Sequence, residues 1–421
     1  MRFKFLYKVN GGALYYSILI SFLVALFTGF LLSSILLHQS VVIKFCQKQR
    51  LDRNIRSALT LAKLNPEIHF GGKQVVDLYR DGEDEVSLNW TIWGGYLLIN
   101  AQCSINNLCQ NVVELCGINS YQESQLALFL CNNDKPLNLS GNSVIKGDCF
   151  IPNSDVRRSN IEGKPFSGDQ LINGSVMGSP NDLPELNSAF VDHNSFYLNS
   201  EDFSSDSILS IDYLFKEDSI VNSFNNPTII FFVPNWIRLT NKYISGNVKI
   251  ISSKGITICK DLKVSDIIVY APKIEIEDNF SGALQMFATD TIIIQENSQL
   301  MYPSLLAIIS SKGNPYIGIS KNAKVFGDII MQSKYPNIEN YCNIDDNSEV
   351  NGMLYCNGKI ELKGNVNGSV LCKSFVLKTS GAIYENHLLD VSINPGQLSS
   401  YYAGSCFFNS KVNLKSIKWL F

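Results

Sequence analysis

The feature that most restricts what this chain can fold into is an internal repeat. Seven segments fit the pattern apolar-x-apolar-x5-apolar (or Gly), starting at Ile256, Ile274, Ile292, Ile317, Cys342, Ile360 and Phe375. An eighth, Leu137 to Ile145, lies well upstream. Side chains alternate along a strand, so the first and third positions of each copy share one face. The sixth position is Asn in six of the eight copies (Asn142, Asn279, Asn297, Asn322, Asn347 and Asn365), with Asp261 and Ser380 in the other two. Asn tolerates the left-handed conformation better than other non-Gly residues and bonds its own turn, so it marks a corner. Stacked from copy to copy, these residues are expected to form a side-chain ladder. The starts are separated by 18, 18, 25, 25, 18 and 15 residues, lengths typical of coils in stacked parallel-strand repeats.

A second motif, Gly-x-apolar-x-apolar, begins at Gly147, Gly246, Gly327, Gly352 and Gly368, with a degraded copy at Gly174. Each coil therefore alternates a short strand, an Asn corner, a Gly corner and another short strand. The expected fold is mainly β, with a parallel β-solenoid (β-helix) over residues 236–390. The alternation with Asn and Gly corners over 137–152 and about 240–390 resembles the bactofilin-like and other β-helical repeat proteins. That resemblance implies an architecture and leaves function open.

The amino terminus sets the second constraint. Ala13 to Leu37 is 25 residues without a charge, roughly 37 Å of helix against a hydrocarbon core of about 30 Å. Tyr15 and Tyr16 stand near one end, where interfacial aromatics belong. The stretch is longer than the apolar region of a secretory signal, and only His38-Gln39-Ser40 follows it, with no small-x-small cleavage site. A retained single span over 13–37 is the expectation. Basic residues flank both sides, with Arg2, Lys4 and Lys8 before and Lys44, Lys48, Arg50, Arg53 and Arg56 after. The short head (1–12) against a large body places the amino terminus in the cytoplasm and the body outside it, in a periplasm or at a cell surface.

Beyond the span, Val41, Phe45, Leu51, Ile55, Ala58, Leu59 and Ala62 recur at helical spacing. One helix is thus expected to run on as an amphipathic continuation over 38–65, ended by Asn65-Pro66 and Gly71-Gly72. Its basic stripe reads as a solvated face near lipid headgroups. A short basic leader ending in Gly, followed by a half-apolar, half-amphipathic helix, resembles the type IV pilin-like family. The resemblance implies processing between Gly12 and Ala13. Ser17 stands where that family usually carries Glu, at the fifth mature position.

Residues 73–135 read as an antiparallel β region, a pilin-like head or an α+β domain. Strands are expected at Gln74–Tyr79, Val86–Trp93, Tyr96–Cys103, Val112–Cys116 and Gln125–Cys131, with Gly94-Gly95 as a hairpin turn. Residues 136–235 hold a first coil and a Ser-, Asn- and Pro-rich excursion, from which Ile229–Val233 re-enters the core as a buried strand. The aromatic tail within 391–421 reads as a cap over an open end.

Charge and cysteine usage limit the chemistry. The 35 basic residues are outnumbered by 38 acidic ones, which disfavours nucleic acid as a partner. No CxxC pair exists among the 11 Cys, so neither a metal site nor a cofactor is expected. Cys149, Cys342, Cys356 and Cys372 fall at inward repeat positions, as small buried hydrophobes, with Cys356 and Cys372 stacked on neighbouring coils. One bridge among Cys103, Cys109, Cys116 and Cys131 is expected if that region is extracytoplasmic. Asp345-Asp346 is the one acidic pair that invites a catalytic reading, and no Arg follows Arg238 to stabilise a developing anion. The expected function is a non-enzymatic structural or adhesive part of a cell envelope. Its partners would be the lipid bilayer and envelope proteins, polysaccharide or pilin-like subunits. The alternatives are a minor pilin-like subunit and a carbohydrate-active β-helix enzyme.

Overall fold

The structure, a computed structural model, describes residues 11–64, 73–79, 82, 84–119, 126–200, 208–311, 313–335, 337–408 and 413–420. The chain divides into two units. One comprises Met1–Ala58, Val75–Ser87 and Gln102–Gln110, the other Leu59–Gln74, Leu88–Ala101 and Asn111–Phe421.

Helix α1 spans Gly11–Leu64, 54 residues without a break. Among the described residues it is the one helix long and apolar enough to cross a membrane. Residues 12–46 are exposed along their whole length, Val41 and Phe45 included. Burial begins at Leu51 and continues at Asn54, Ile55, Ala58, Leu59 and Ala62, the three- and four-residue spacing of one helical face. Arg50, expected on a solvated face, instead makes a two-pronged bond to the Asp84 carboxylate at 2.7 Å for each prong, and Asn54 Nδ2 donates to the same carboxylate at 2.5 Å. The Arg50 guanidinium, more than any other group, holds the Asp84 carboxyl below its ordinary range. The expected stop signals, Asn65-Pro66 and Gly71-Gly72, lie outside the described residues.

Lys73–Asp77, Glu85–Trp93, Tyr96–Ile105 and Leu108–Ile118 follow as consecutive neighbours in a five-stranded sheet. Gly94 supplies the positive φ (61°) of the expected hairpin. The fifth strand is Leu414–Leu420, antiparallel to Leu108–Ile118. The last part of the tail expected as a cap, Leu414–Leu420, is therefore an edge strand of this sheet, while Phe407 and Phe408 pack against Phe287 and Tyr355. A strand that can bond a free sheet edge satisfies its backbone better than one laid over a solvent-facing end.

Most of the other strands form one large, closed, almost wholly parallel set; a parallel sheet of His387–Leu389, Leu137–Ser140 and Val156–Arg158 and an antiparallel pair, Asn160–Ile161 with Lys164–Pro165, are separate from it. Its register carries the sequence repeat. Ile256 pairs with Ile274, Ile274 with Ile292, Ile292 with Ile317, Ile317 with Cys342, Cys342 with Ile360, and Ile360 with Phe375. All seven side chains are fully buried, the Ile and Phe side chains contributing about 1.5–3 kcal/mol of apolar burial each. Ile237 adds a rung before them, opposite Ile256. It escapes the sequence pattern because its corner, Thr240-Asn241-Lys242, is one residue shorter.

Chain order and stacking order differ. The strand expected at Gln125–Cys131 as part of the antiparallel region is Leu126–Leu130, and it pairs in parallel with Val370–Lys378 and with Asp148–Ile151. The upstream repeat copy stacks with it: Leu139 lies opposite Leu388 and Ile145 opposite Ile393. Residues 126–178 thus continue the ladder beyond its last carboxy-terminal rung and are not a first coil before Ile256. The opposite end is made by Ile208–Leu209, Ser219–Asn222 and the expected buried strand Ile229–Val233, which pairs with Val248–Ser252. Two helices lie in the same excursion, α2 (Ser188–Asn199) and α3 (Ile211–Lys216).

One face of the ladder is apolar on both sides. The inward column runs Ile250, Val269, Met286, Leu306, Ile329, Leu354, Val370, Leu128 and Cys149. The outward column beside it runs Ile251, Tyr270, Phe287, Ala307, Ile330, Tyr355 and Leu371, and it is buried as well. Strands covered on both faces read as continuous apolar runs, which is why Ile267–Ala271 and Leu305–Ile308 lack alternation.

Candidate functional site

The corner residues are shaped by the backbone. Asn279, Asn297, Asn322 and Asn347 have φ between 58° and 60°, the left-handed corner expected of them. Asn142 and Asn365 do not; in the upstream copy Gly141 takes the positive φ (60°), and Asn365 opens the strand Asn365–Asn367. The side-chain ladder forms at one step, where Asn322 Nδ2 donates to Asn297 Oδ1 at 3.2 Å. Elsewhere the backbone links the rungs, as when Asn279 N–H donates to Glu296 O at 3.0 Å.

The Gly corners have a different cause. Gly147, Gly246, Gly327, Gly352 and Gly368 all have positive φ. A Cβ on Gly327 would stand 1.7 Å from Ser304 O, one on Gly352 2.2 Å from Gly327 O, and one on Gly368 1.8 Å from Gly352 O. Adjacent rungs meet there through bare backbone, so no larger residue fits. Gly147, Gly174 and Gly352 line a cavity of about 450 Å³ that also takes in Lys146, Asn394 and Tyr402. Its one charged lining residue, Lys146, is exposed.

The remaining sequence candidates are dispersed. Gly12 and Ala13 lie inside α1, which passes through them unbroken. All eleven cysteines are free thiols, so no bridge joins Cys103, Cys109, Cys116 or Cys131. Cys131 belongs to the parallel ladder, its N–H donating to Cys372 O at 3.0 Å. Cys149, Cys342, Cys356 and Cys372 are fully buried. Cys356 pairs with Cys372 as expected, and burial pushes the Cys342 and Cys149 thiols up to about 12. Asp345 accepts from the N–H of Asp346 within one turn, and Asp346 lies 3.8 Å from Lys321 Nζ at the surface.

A site that sequence reading passed over lies against the outward face of the ladder. Lys249 sits in the strand Val248–Ser252 and is 4% exposed. Its ammonium stands 3.7 Å from the Tyr197 ring centroid and 5.4 Å from that of Trp93, cation–π contacts that offset part of the cost of burial. No carboxylate bonds it among the described residues. Burial lowers its pKa to about 7.

Three elements build the walls. α2 is capped by the Asn187 side chain, which accepts from Ala189 N–H at 3.1 Å. It presents His193 and Tyr197, four residues apart, on one face. Asn194 fixes the helix: its Nδ2 donates to Gly94 O at 3.0 Å, and its Oδ1 accepts from Tyr270 Oη at 2.9 Å. The hairpin is fixed in turn by Gln285, which accepts from Gly95 N–H at 2.7 Å and donates to Trp93 O at 3.1 Å. Trp93 packs edge-on against Phe224, with centroids 5.1 Å apart.

Together these groups line an open cavity of about 490 Å³ whose lining also includes Trp90 and Asn100. Trp90 Nε1, Asn100 Oδ1 and His193 Nε2 are buried polar atoms without a hydrogen-bond partner. Burial, with the Lys249 charge as a second cause, pulls the His193 pKa down to about 4. The cavity therefore combines one buried cation, aromatic walls and free acceptors. The one sequence signal was Lys249 in a variable slot of the Gly246 motif, where other copies carry Phe150, Ile330, Tyr355 and Leu371.

Comparison with protein-family models, curated proteins and solved structures finds no match to this chain.

Proposed function

We propose that this chain is a membrane-anchored, non-enzymatic structural or adhesive protein of a cell envelope. Its body would be a parallel β-solenoid carried outside the cytoplasm by α1. The observation that carries this reading is the register from Ile256 to Phe375, in which successive repeat starts lie opposite one another. Rungs stacked in this way make a stiff body with long faces, suited to holding a partner at a distance from a membrane. The exposed apolar stretch of α1 supports the anchor.

The minor pilin-like reading keeps one specific support, an unbroken 54-residue helix followed by consecutive sheet neighbours. Reporter fusions after Phe421 test the topology: an enzyme active only outside the cytoplasm is expected to work there, and a cytoplasm-dependent reporter is not. The reverse pattern overturns the extracytoplasmic body. Amino-terminal sequencing separates the two readings, since an intact Met1 eliminates pilin-like processing and a mature start at Ala13 favours it. Release of oligosaccharides from envelope polymers by the purified protein would replace both with the enzyme reading.

A further inference from the structure

The cavity around Lys249 is too costly to be mere packing. An ammonium buried without a counter-ion is unfavourable, and apolar replacements for such groups are often neutral or stabilising. Its own column of the sheet runs Lys249, Ile268, Gln285, Leu305 and Asp328, and the two other polar members, Gln285 and Asp328, are hydrogen-bonded where, among the described residues, Lys249 is not. Two further polar atoms of residues lining the same space, Asn100 Oδ1 and His193 Nε2, lack partners, although buried polar groups are normally bonded. The unmet needs are complementary: an anion for Lys249, and donors for Asn100 and for His193 in the tautomer that leaves Nε2 unprotonated. The volume, about 490 Å³, lies in the range of small-molecule sites, and the exposed Asn89 and Thr91 in its lining give it an edge at solvent.

We propose that this cavity binds a sugar acid, a pyranose ring bearing one carboxylate. The carboxylate pairs with Lys249 Nζ in a charge-assisted hydrogen bond. Ring hydroxyls donate to Asn100 and His193. The apolar C–H face of the ring lies on the Trp93 and Phe224 walls. A simple inorganic anion would leave the aromatic walls unmet, and an apolar acid would leave Asn100 and His193 unmet. The inference stands on the cavity alone and holds whether or not the body is a scaffold.

Isothermal titration of the full chain in detergent tests it, with D-glucuronate and D-galacturonate as probes, and glucose and cyclohexanecarboxylate as controls. Saturable binding of at least one uronate is expected, at least tenfold tighter than either control. Lys249→Met is expected to weaken that binding at least tenfold. Asn100→Leu is expected to weaken the uronate and leave cyclohexanecarboxylate unchanged. Circular dichroism of both variants establishes that they fold, and His193→Phe serves as the second cavity variant if Asn100→Leu does not. The proposal is overturned if neither uronate binds, if Lys249→Met binds as well as the parent, or if cyclohexanecarboxylate binds as tightly as the uronates.

Discussion

Single residues in this protein are constrained by two separate physical demands that look alike in sequence. The Asn corners need only a positive φ, whereas the Gly corners need both a positive φ and the absence of a Cβ, because the carbonyl of the neighbouring rung occupies that space. Asn322→Gly is therefore expected to change stability by less than about 1 kcal/mol. Gly352→Ala, with Gly327 O in the path of the methyl, is expected to cost about 2–4 kcal/mol. Thermal or urea unfolding of the two variants separates the demands. Lys249 makes a further residue-scale prediction. Its pKa is about 7 in the folded chain and about 10.4 in an unfolded one. Between those values the unfolded state holds a proton that the folded state lacks, so stability rises with pH across that window. Below pH 7 the amine is charged in both states and the folded state bears the whole cost of burying it. His193 and Tyr197 are the titratable groups facing it. Lys249→Met is accordingly expected to stabilise the fold at pH 6.5, on the order of 3 kcal/mol, with the gain gone by pH 10.5. Unfolding midpoints measured across that range check it.

At the scale of elements, α1 is one helix with two environments. Residues 12–46 are uniformly exposed, and from Leu51 onward one face is buried. The sequence places the first change of character at Leu37, where apolar residues stop being continuous. Val41 and Phe45 nevertheless remain uncovered by protein, because helical periodicity reports which face is apolar and not what covers it. Leu23→Arg with Leu26→Arg is expected to release the protein from membranes in alkaline carbonate extraction, since each arginine costs about 2.5–3.5 kcal/mol near a bilayer centre. Ile55→Asp is expected to leave the chain in the membrane and to lower its unfolding temperature, because it puts a carboxylate at a fully buried position.

For the whole molecule, the decisive fact is that residues 126–178 stack beyond residues 370–393. Parts of the chain about 250 residues apart share a core, so they are expected to open together. Val391→Asp, at a buried position in that rung, is expected to lose amide protection at Cys131, Asn138 and Val144 as well as at 387–393. Hydrogen exchange read by mass spectrometry checks this, and loss confined to 387–393 would show the two parts to be energetically separate.

What the sequence determined by itself was what local chemistry fixes: the uncharged helix, the hairpin at Gly94, the seven-fold register from Ile256 to Phe375, and the inward cysteines. Each depends on residues near one another in the chain, or on a spacing repeated so often that only one alignment of rungs satisfies it. Tertiary structure alone decided where the upstream copy stacks, that Leu414–Leu420 is a sheet edge, and that Lys249 is buried. A strand pattern specifies which side chains share a face and says nothing of what packs against the outer one. Lys249 reads as a solvated outward lysine until α2 and the Trp93 hairpin are laid over it, and that covering turns an ordinary surface charge into a buried one held against aromatic rings.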